Sequence, residues 1–308
     1  MEDMLHEILA IPQTAWVCYE NCQSLILPSA VPYLGMGSSY YAPLVLRYCG
    51  KEIHPEVASE YFNYISPGKT KPLGVLISQS GESSETLWCR DLFKEFIAIT
   101  NESQSELARS KNAKEVILLN AGREGFSSTK TYINTLVILY NGFGIDIKNA
   151  LENIYASLEM YREWGEKTAF ELAEYIRKEK INGIYFTGSG PNFATSCQSA
   201  LIFTETTKLT ATSQPLSQYD HGPKESAPGS LVFMLQAEGS SKSRTEQLAE
   251  KLTFAGAQVI PVVELSLPEI LSPFPLIIRT NFLSYYLARE LGISRTFNVG
   301  GKITRVEL

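Results

Sequence analysis

A glycine turn stands between a strand-like run, Ala30-Val31-Pro32-Tyr33-Leu34, and a helical pattern, and the same arrangement returns in the second half of the chain. The first turn is Gly35-Met36-Gly37-Ser38-Ser39. The second is Gly188-Ser189-Gly190-Pro191-Asn192, entered from Gly183-Ile184-Tyr185-Phe186-Thr187. Around the first turn, strands are predicted at 74–77, 97–100 and 115–119, and helices at 82–93, 103–110 and 129–141, with residues 1–27 helical ahead of them. A long helical stretch, roughly 147–179, has few Pro or Gly breaks and links the halves. Beyond the second turn, strands are predicted at 231–235, 258–263 and 276–278, and helices at 243–254 and 282–290. Strands alternating with helices give parallel sheets with helical crossovers. The expected fold is α/β: two tandem doubly wound parallel-sheet domains, flavodoxin-like and three-layered, over residues 1–146 (with the leading helix) and 147–308. Such sheets bind ligands at the C-terminal ends of their strands, where both glycine turns fall.

The length of 308 residues suits two domains of ordinary size. A net charge of −6 and the lack of a basic cluster argue against nucleic acid as a partner. No apolar run approaches the ~20 residues of a membrane span. The start, Met-Glu-Asp-Met-Leu-His, is acidic and lacks a secretory n-region. The five cysteines (Cys18, Cys22, Cys49, Cys89, Cys197) are scattered and odd in number, as thiols of a reducing cytoplasm are. Cys18 and Cys22 stand four apart on a helical stretch with only His6 near in sequence, and the chain has three histidines. No metal site and no cofactor is expected.

The run Leu76-Ile77-Ser78-Gln79-Ser80-Gly81-Glu82-Ser83-Ser84-Glu85-Thr86 carries chemistry. A buried strand breaks into hydroxylated residues and a glycine, and an acidic helical segment follows. Backbone N–H groups, a helix start and serine hydroxyls together suit a phosphate. The turn holds no lysine, so it is not a Walker-type loop, and neither glycine turn completes a dinucleotide fingerprint. A phosphate monoester is the fitting guest; a serine-rich N-cap serving only the fold is the alternative.

The second half adds titratable groups. Glu205 falls late in the helix after Gly190. His221 lies in Tyr219-Asp220-His221-Gly222-Pro223, a loop by its Gly-Pro breaker, and Lys302 follows Gly300-Gly301 near the end. A carboxylate can shuttle a proton between sugar carbons, an imidazole can open a sugar ring, and a desolvated amine can form an imine. Taken singly, each also reads as a solvated helix residue, a loop capper or a tail charge.

With these motifs the chain resembles the sugar isomerase (SIS) family, most closely the isomerase portion of glucosamine-6-phosphate synthase. The resemblance lies in Gly37-Ser38-Ser39, Ala58-Ser59-Glu60-Tyr61, Ser78-Gln79-Ser80-Gly81-Glu82-Ser83, Ile99-Thr100-Asn101, Asn120-Ala121-Gly122-x-Glu124 and Ser128-Thr129-Lys130. It continues in Gly188-x-Gly190, in Glu205 with His221-Gly222-Pro223, and in Lys302. It implies that Ser78, Gln79, Ser80 and Ser83 cradle the phosphate and that Ser38 and Ser39 hold sugar hydroxyls or the phosphate. It implies Glu205 as the C1/C2 proton shuttle, Lys302 as the imine-forming amine and Gly301 as a substrate contact. His221 would open the ring from the neighbouring subunit of a homodimer. Two departures stand out. Ile202 replaces a lysine that lines the synthase site, and Met1-Glu2 offers no cysteine nucleophile of a glutaminase. The expectation is therefore a stand-alone glucosamine-6-phosphate deaminase of the kind described in archaea. The rivals are a synthase isomerase half with a separate glutaminase, a fructosamine-6-phosphate deglycase, and a non-catalytic sugar-phosphate sensor.

Overall fold

The computed structural model describes residues 2–295 and 297–307. In chain order its helices are α1 (Glu2–Leu9), α2 (Ile11–Asn21), α3 (Ser38–Tyr48), α4 (Ala58–Glu60), α5 (Ser84–Trp88), α6 (Lys130–Gly142), α7 (Lys148–Lys178), α8 (Pro191–Thr207), α9 (Leu216–Asp220), α10 (Lys242–Phe254) and α11 (Pro273–Glu290). The strands are β1 (Pro32–Gly35), β2 (His54–Val57), β3 (Lys71–Ile77), β4 (Phe93–Thr100), β5 (Ala113–Leu118), β6 (Ile184–Gly188), β7 (Thr212–Pro215), β8 (Leu231–Glu238) and β9 (Gln258–Pro268). The chain divides into two compact units. The first takes residues 10–147 together with 297–307, and the second takes 2–9 with 148–295.

Each unit is built on one all-parallel sheet. The first has the order β2-β1-β3-β4-β5, and the second the order β7-β6-β8-β9. The first is the doubly wound 2-1-3-4-5 order. The second is the same order without a fifth strand. Val75, Leu76 and Ile77 at the end of β3 are buried, as are Phe233, Met234 and Leu235 of β8. Strands covered on both faces read as continuous apolar runs, which is why they are plain in the sequence.

The two glycine turns have one geometry. Gly37 (φ 50°, ψ −122°) precedes α3, and Gly190 (φ 54°, ψ −134°) precedes α8. That φ favours glycine. A Cβ on Gly35 would lie 2.6 Å from the Ser39 carbonyl oxygen, and one on Gly188 would lie 2.4 Å from that of Asn192. Both turns therefore let the helix start press against the strand end.

Several expected elements are corrected. Residues 276–278 are not a strand but part of α11, whose residues are buried almost all round. The helix expected at 82–93 is only α5 with a 3-10 turn at Cys89–Leu92, and β4 begins at Phe93. Residues 103–110 form turns, not a helix. The leading helical region breaks into α1, which lies with the second unit, and α2, which lies with the first. The C-terminal tail, expected within the second domain (147–308), lies with the first unit. Its ties there are Phe297 against the Phe126 ring (5.5 Å between centroids) and polar bonds described below. Among the described residues no helix is long and apolar enough to cross a membrane.

Candidate functional site

The serine run leaves β3, the central strand of the first sheet, and wraps tightly. Ser78 is buried, and its Oγ accepts from Gly81 N (3.1 Å) and donates to Ser83 Oγ (3.4 Å). Ser80 Oγ accepts from Glu82 N at 3.2 Å. Gly81 turns the chain at φ +63°, and a Cβ there would strike Ser105 Oγ at 2.1 Å. Ser83 is the N-cap residue of α5 and makes no side-chain cap bond, so its hydroxyl is not committed to the helix. The neighbouring loops are tied in. Gln79 O accepts from Asn101 N (2.9 Å) and from Thr100 Oγ1 (3.2 Å). Asn101 in turn donates to Gly122 O (2.9 Å) and accepts from Ala121 N (3.0 Å). Ser38 and Ser39 begin α3 directly after Gly37. The ends of β1, β3, β4 and β5 thus bring small hydroxylated and amide residues to one edge of the sheet.

The C-terminal tail lies on this loop. Thr304 O accepts from Ser84 N (3.3 Å), and Val306 N donates to Ser84 Oγ (2.9 Å). Arg305 pairs with Glu82 at 3.1 Å. Lys302 Nζ donates to the backbone oxygen of Glu124 at 2.8 Å and to its carboxylate at 3.3 Å. Gly301 is exposed beside it. An open groove of about 610 Å3, lined by Arg90, Glu106, Arg109 and Lys111, meets the serine run only at Glu82.

The other members of the expected set lie in the second unit. Glu205 stands in the last turn of α8, partly buried. Lys208 follows it in the left-handed region (φ 63°), and its ammonium donates to Glu205 O. Burial pulls the Lys208 amine below its ordinary value, while the Glu205 charge opposes that shift. Ile202 is fully buried in α8. His221 caps the C-terminal end of α9 and is exposed. Beside it Asp220 pairs with Lys224 (2.9 Å) and Arg244 (3.3 Å), and the Lys224 bond leads in holding its carboxyl below the usual range.

The structure therefore brings Ser78, Gln79, Ser80, Ser83 and the Lys302 tail together in the first unit. It sets Glu205 and His221 in the second. Sequence reasoning gave Glu124 and Lys208 no role. For Glu124 a signal existed: a carboxylate just before a Ser-Ser-Thr helix start can turn back to cap it.

No family model matches the chain. Among curated relatives, a glutamine–fructose-6-phosphate aminotransferase (isomerizing) from Pyrobaculum aerophilum is 27% identical over 307 residues, covering 87% of this chain and 50% of the relative. The chain spans a third to a half of the length of the first curated relatives it matches. Among solved structures, the C-terminal domain of glucosamine-fructose-6-phosphate aminotransferase from Francisella tularensis superposes with a TM-score of 0.79 at 19% identity, covering 94% of this chain and 96% of that one. A glucosamine-6-phosphate deaminase from Thermotoga maritima gives 0.74 at 22% identity, covering 95% and 96%. At these identities the structures establish a shared fold. The resemblance read from the motifs is borne out by the kind of relatives found.

Proposed function

We propose that this chain, similar to the isomerase half of glutamine–fructose-6-phosphate aminotransferases, is a cytoplasmic sugar-phosphate isomerase of two tandem doubly wound SIS domains. Its reaction is the conversion of glucosamine 6-phosphate and water to fructose 6-phosphate and ammonia. The observation that carries the reading is the serine run at the end of the central strand with the Lys302 tail lying on it. Ser78, Gln79, Ser80 and Ser83 bind the phosphate, and Ser38 and Ser39 hold the sugar. His221 protonates the ring oxygen and opens the ring. Glu205 takes the C2 proton and returns it at C1. The resulting C2 imine loses ammonia, either directly to water or by exchange onto the Lys302 amine, whose imine water then cleaves. The working unit is a homodimer in which His221 serves the partner's site; its exposure in the single chain supports this.

The test is an assay of ammonia and fructose 6-phosphate released from glucosamine 6-phosphate, with glucose 6-phosphate and a fructosamine 6-phosphate as controls. Glu205→Gln keeps shape but removes the proton acceptor, so turnover falls ~10²–10⁴-fold with binding little changed. More than about a tenth of wild-type turnover in that variant excludes Glu205 as the base. The activity that the curated relatives are named for, that of a glutamine–fructose-6-phosphate aminotransferase, favours a second reading: the same chemistry run toward glucosamine 6-phosphate beside a glutaminase. Synthesis only when a glutaminase is added, and none from free ammonia, would select it.

A further inference from the structure

We propose that Glu124 is the positioning residue for Lys302, holding its ammonium beside the serine-run loop until the sugar imine forms; this rests on the reading of Lys302 as the imine-forming amine. The Glu124 side chain is fully buried. Its Oε1 accepts from Thr129 N (2.9 Å), Thr129 Oγ1 (3.1 Å) and Thr131 N (3.3 Å), and its Oε2 accepts from the Thr131 hydroxyl. These donors begin α6, a helix of 13 residues, where a carboxylate is favoured. Four bonds leave this carboxylate no freedom to turn. Its position relative to the serine run is fixed as well, because Asn101 bonds the Gly122 loop on one side and Gln79 on the other.

Lys302 uses what remains of the residue. Its ammonium reaches Oε2 at 3.3 Å and the Glu124 carbonyl at 2.8 Å, and its side chain is 22% exposed. The helix start can be capped by a neutral acceptor such as serine or asparagine as well as by a carboxylate. The negative charge answers the ammonium. A lysine stem is long and flexible, and in a terminal segment its amine would sample many positions. An acceptor already locked by other bonds removes that freedom without adding disorder of its own. The exchange then needs Nζ to shed a proton, attack the C2 imine carbon and expel the substrate nitrogen as ammonia. Glu124 determines where Nζ waits before that step.

The experiment reads the amine directly. Wild type, Glu124→Gln and Thr129→Val are pulse-labelled with acetic anhydride without sugar, and Lys302 acetylation is scored by mass spectrometry against exposed Lys167. Loss of a charge-assisted bond to a buried carboxylate predicts about tenfold faster labelling of Lys302 in Glu124→Gln. Thr129→Val damages the cap but spares Oε2, so Lys302 labelling stays at the wild-type rate. In turnover, kcat falls in Glu124→Gln while KM for glucosamine 6-phosphate stays within about twofold, since the phosphate donors are untouched. Should Glu124→Gln not fold, Glu124→Asp keeps the charge but withdraws it by one methylene, and faster labelling is again expected. Unchanged labelling in folded Glu124 variants, or equal acceleration in Thr129→Val, overturns the proposal. Labelling needs no turnover. Faster labelling in an inactive protein would therefore refute the enzymatic reading alone.

Discussion

At the scale of single residues the serines divide by what each already does. Ser80 Oγ holds Glu82 N, whereas the Ser83 hydroxyl makes no cap bond and accepts from Ser78 Oγ at 3.4 Å. Ser83→Ala should therefore leave the loop intact and remove one donor to a charged acceptor, weakening binding of the phosphorylated sugar about ten- to a hundredfold. Ser80→Ala should weaken binding as much and also lower stability by about 1 kcal/mol through the lost turn bond. Calorimetry with phosphorylated and unphosphorylated sugar checks this. Equal losses for both ligands would mean that the hydroxyls serve only the fold. The motif serines, Glu205, His221 and Lys302 could be singled out from residue type and order. Glu124 could be read as a cap of the helix start but not as a partner of Lys302, because those two become neighbours only through the return of the tail.

At the scale of elements, legibility followed chemistry. β3 and β8 were plain because their buried ends are unbroken apolar runs. β2 and β7 were missed: each has four residues, carries a proline (Pro55, Pro215) and lies at a sheet edge, where proline is tolerated. Leu276-Ile277-Ile278 misled because a helix buried on every side shows no polar face, and a short apolar run fits strand and helix alike. The paired glycine turns make the sharpest prediction here. Gly35→Ala and Gly188→Ala each force a Cβ into the backbone of the following helix. Backbone yields less readily than a side-chain tip, so each variant should lose about 1–3 kcal/mol in denaturant unfolding. A near-neutral Gly188→Ala beside a costly Gly35→Ala would show that the two turns are not equivalent in solution.

At the scale of the molecule, the tail is the feature that order along the chain conceals. Lys302 and Glu124 are separated by 178 positions, and the tail's partners lie in the first unit although the second precedes it in sequence. Contiguity therefore placed residues 297–307 with the second domain, while they lie with the first unit. The proposed reaction calls on His221, whose exposure in the single chain fits service to the partner's site. Mixing two inactive proteins decides this. His221→Asn and Lys302→Arg are unfolded and refolded together in equal amounts, so about half of the dimers pair one of each. If His221 acts across the interface, each mixed dimer holds one intact site, built from the His221→Asn chain's own Lys302 and the other chain's imidazole. Its second site carries both defects. About a quarter of wild-type turnover should then return, from two preparations that are inactive alone. If His221 serves its own chain, every site in the mixture keeps one defect and no turnover returns.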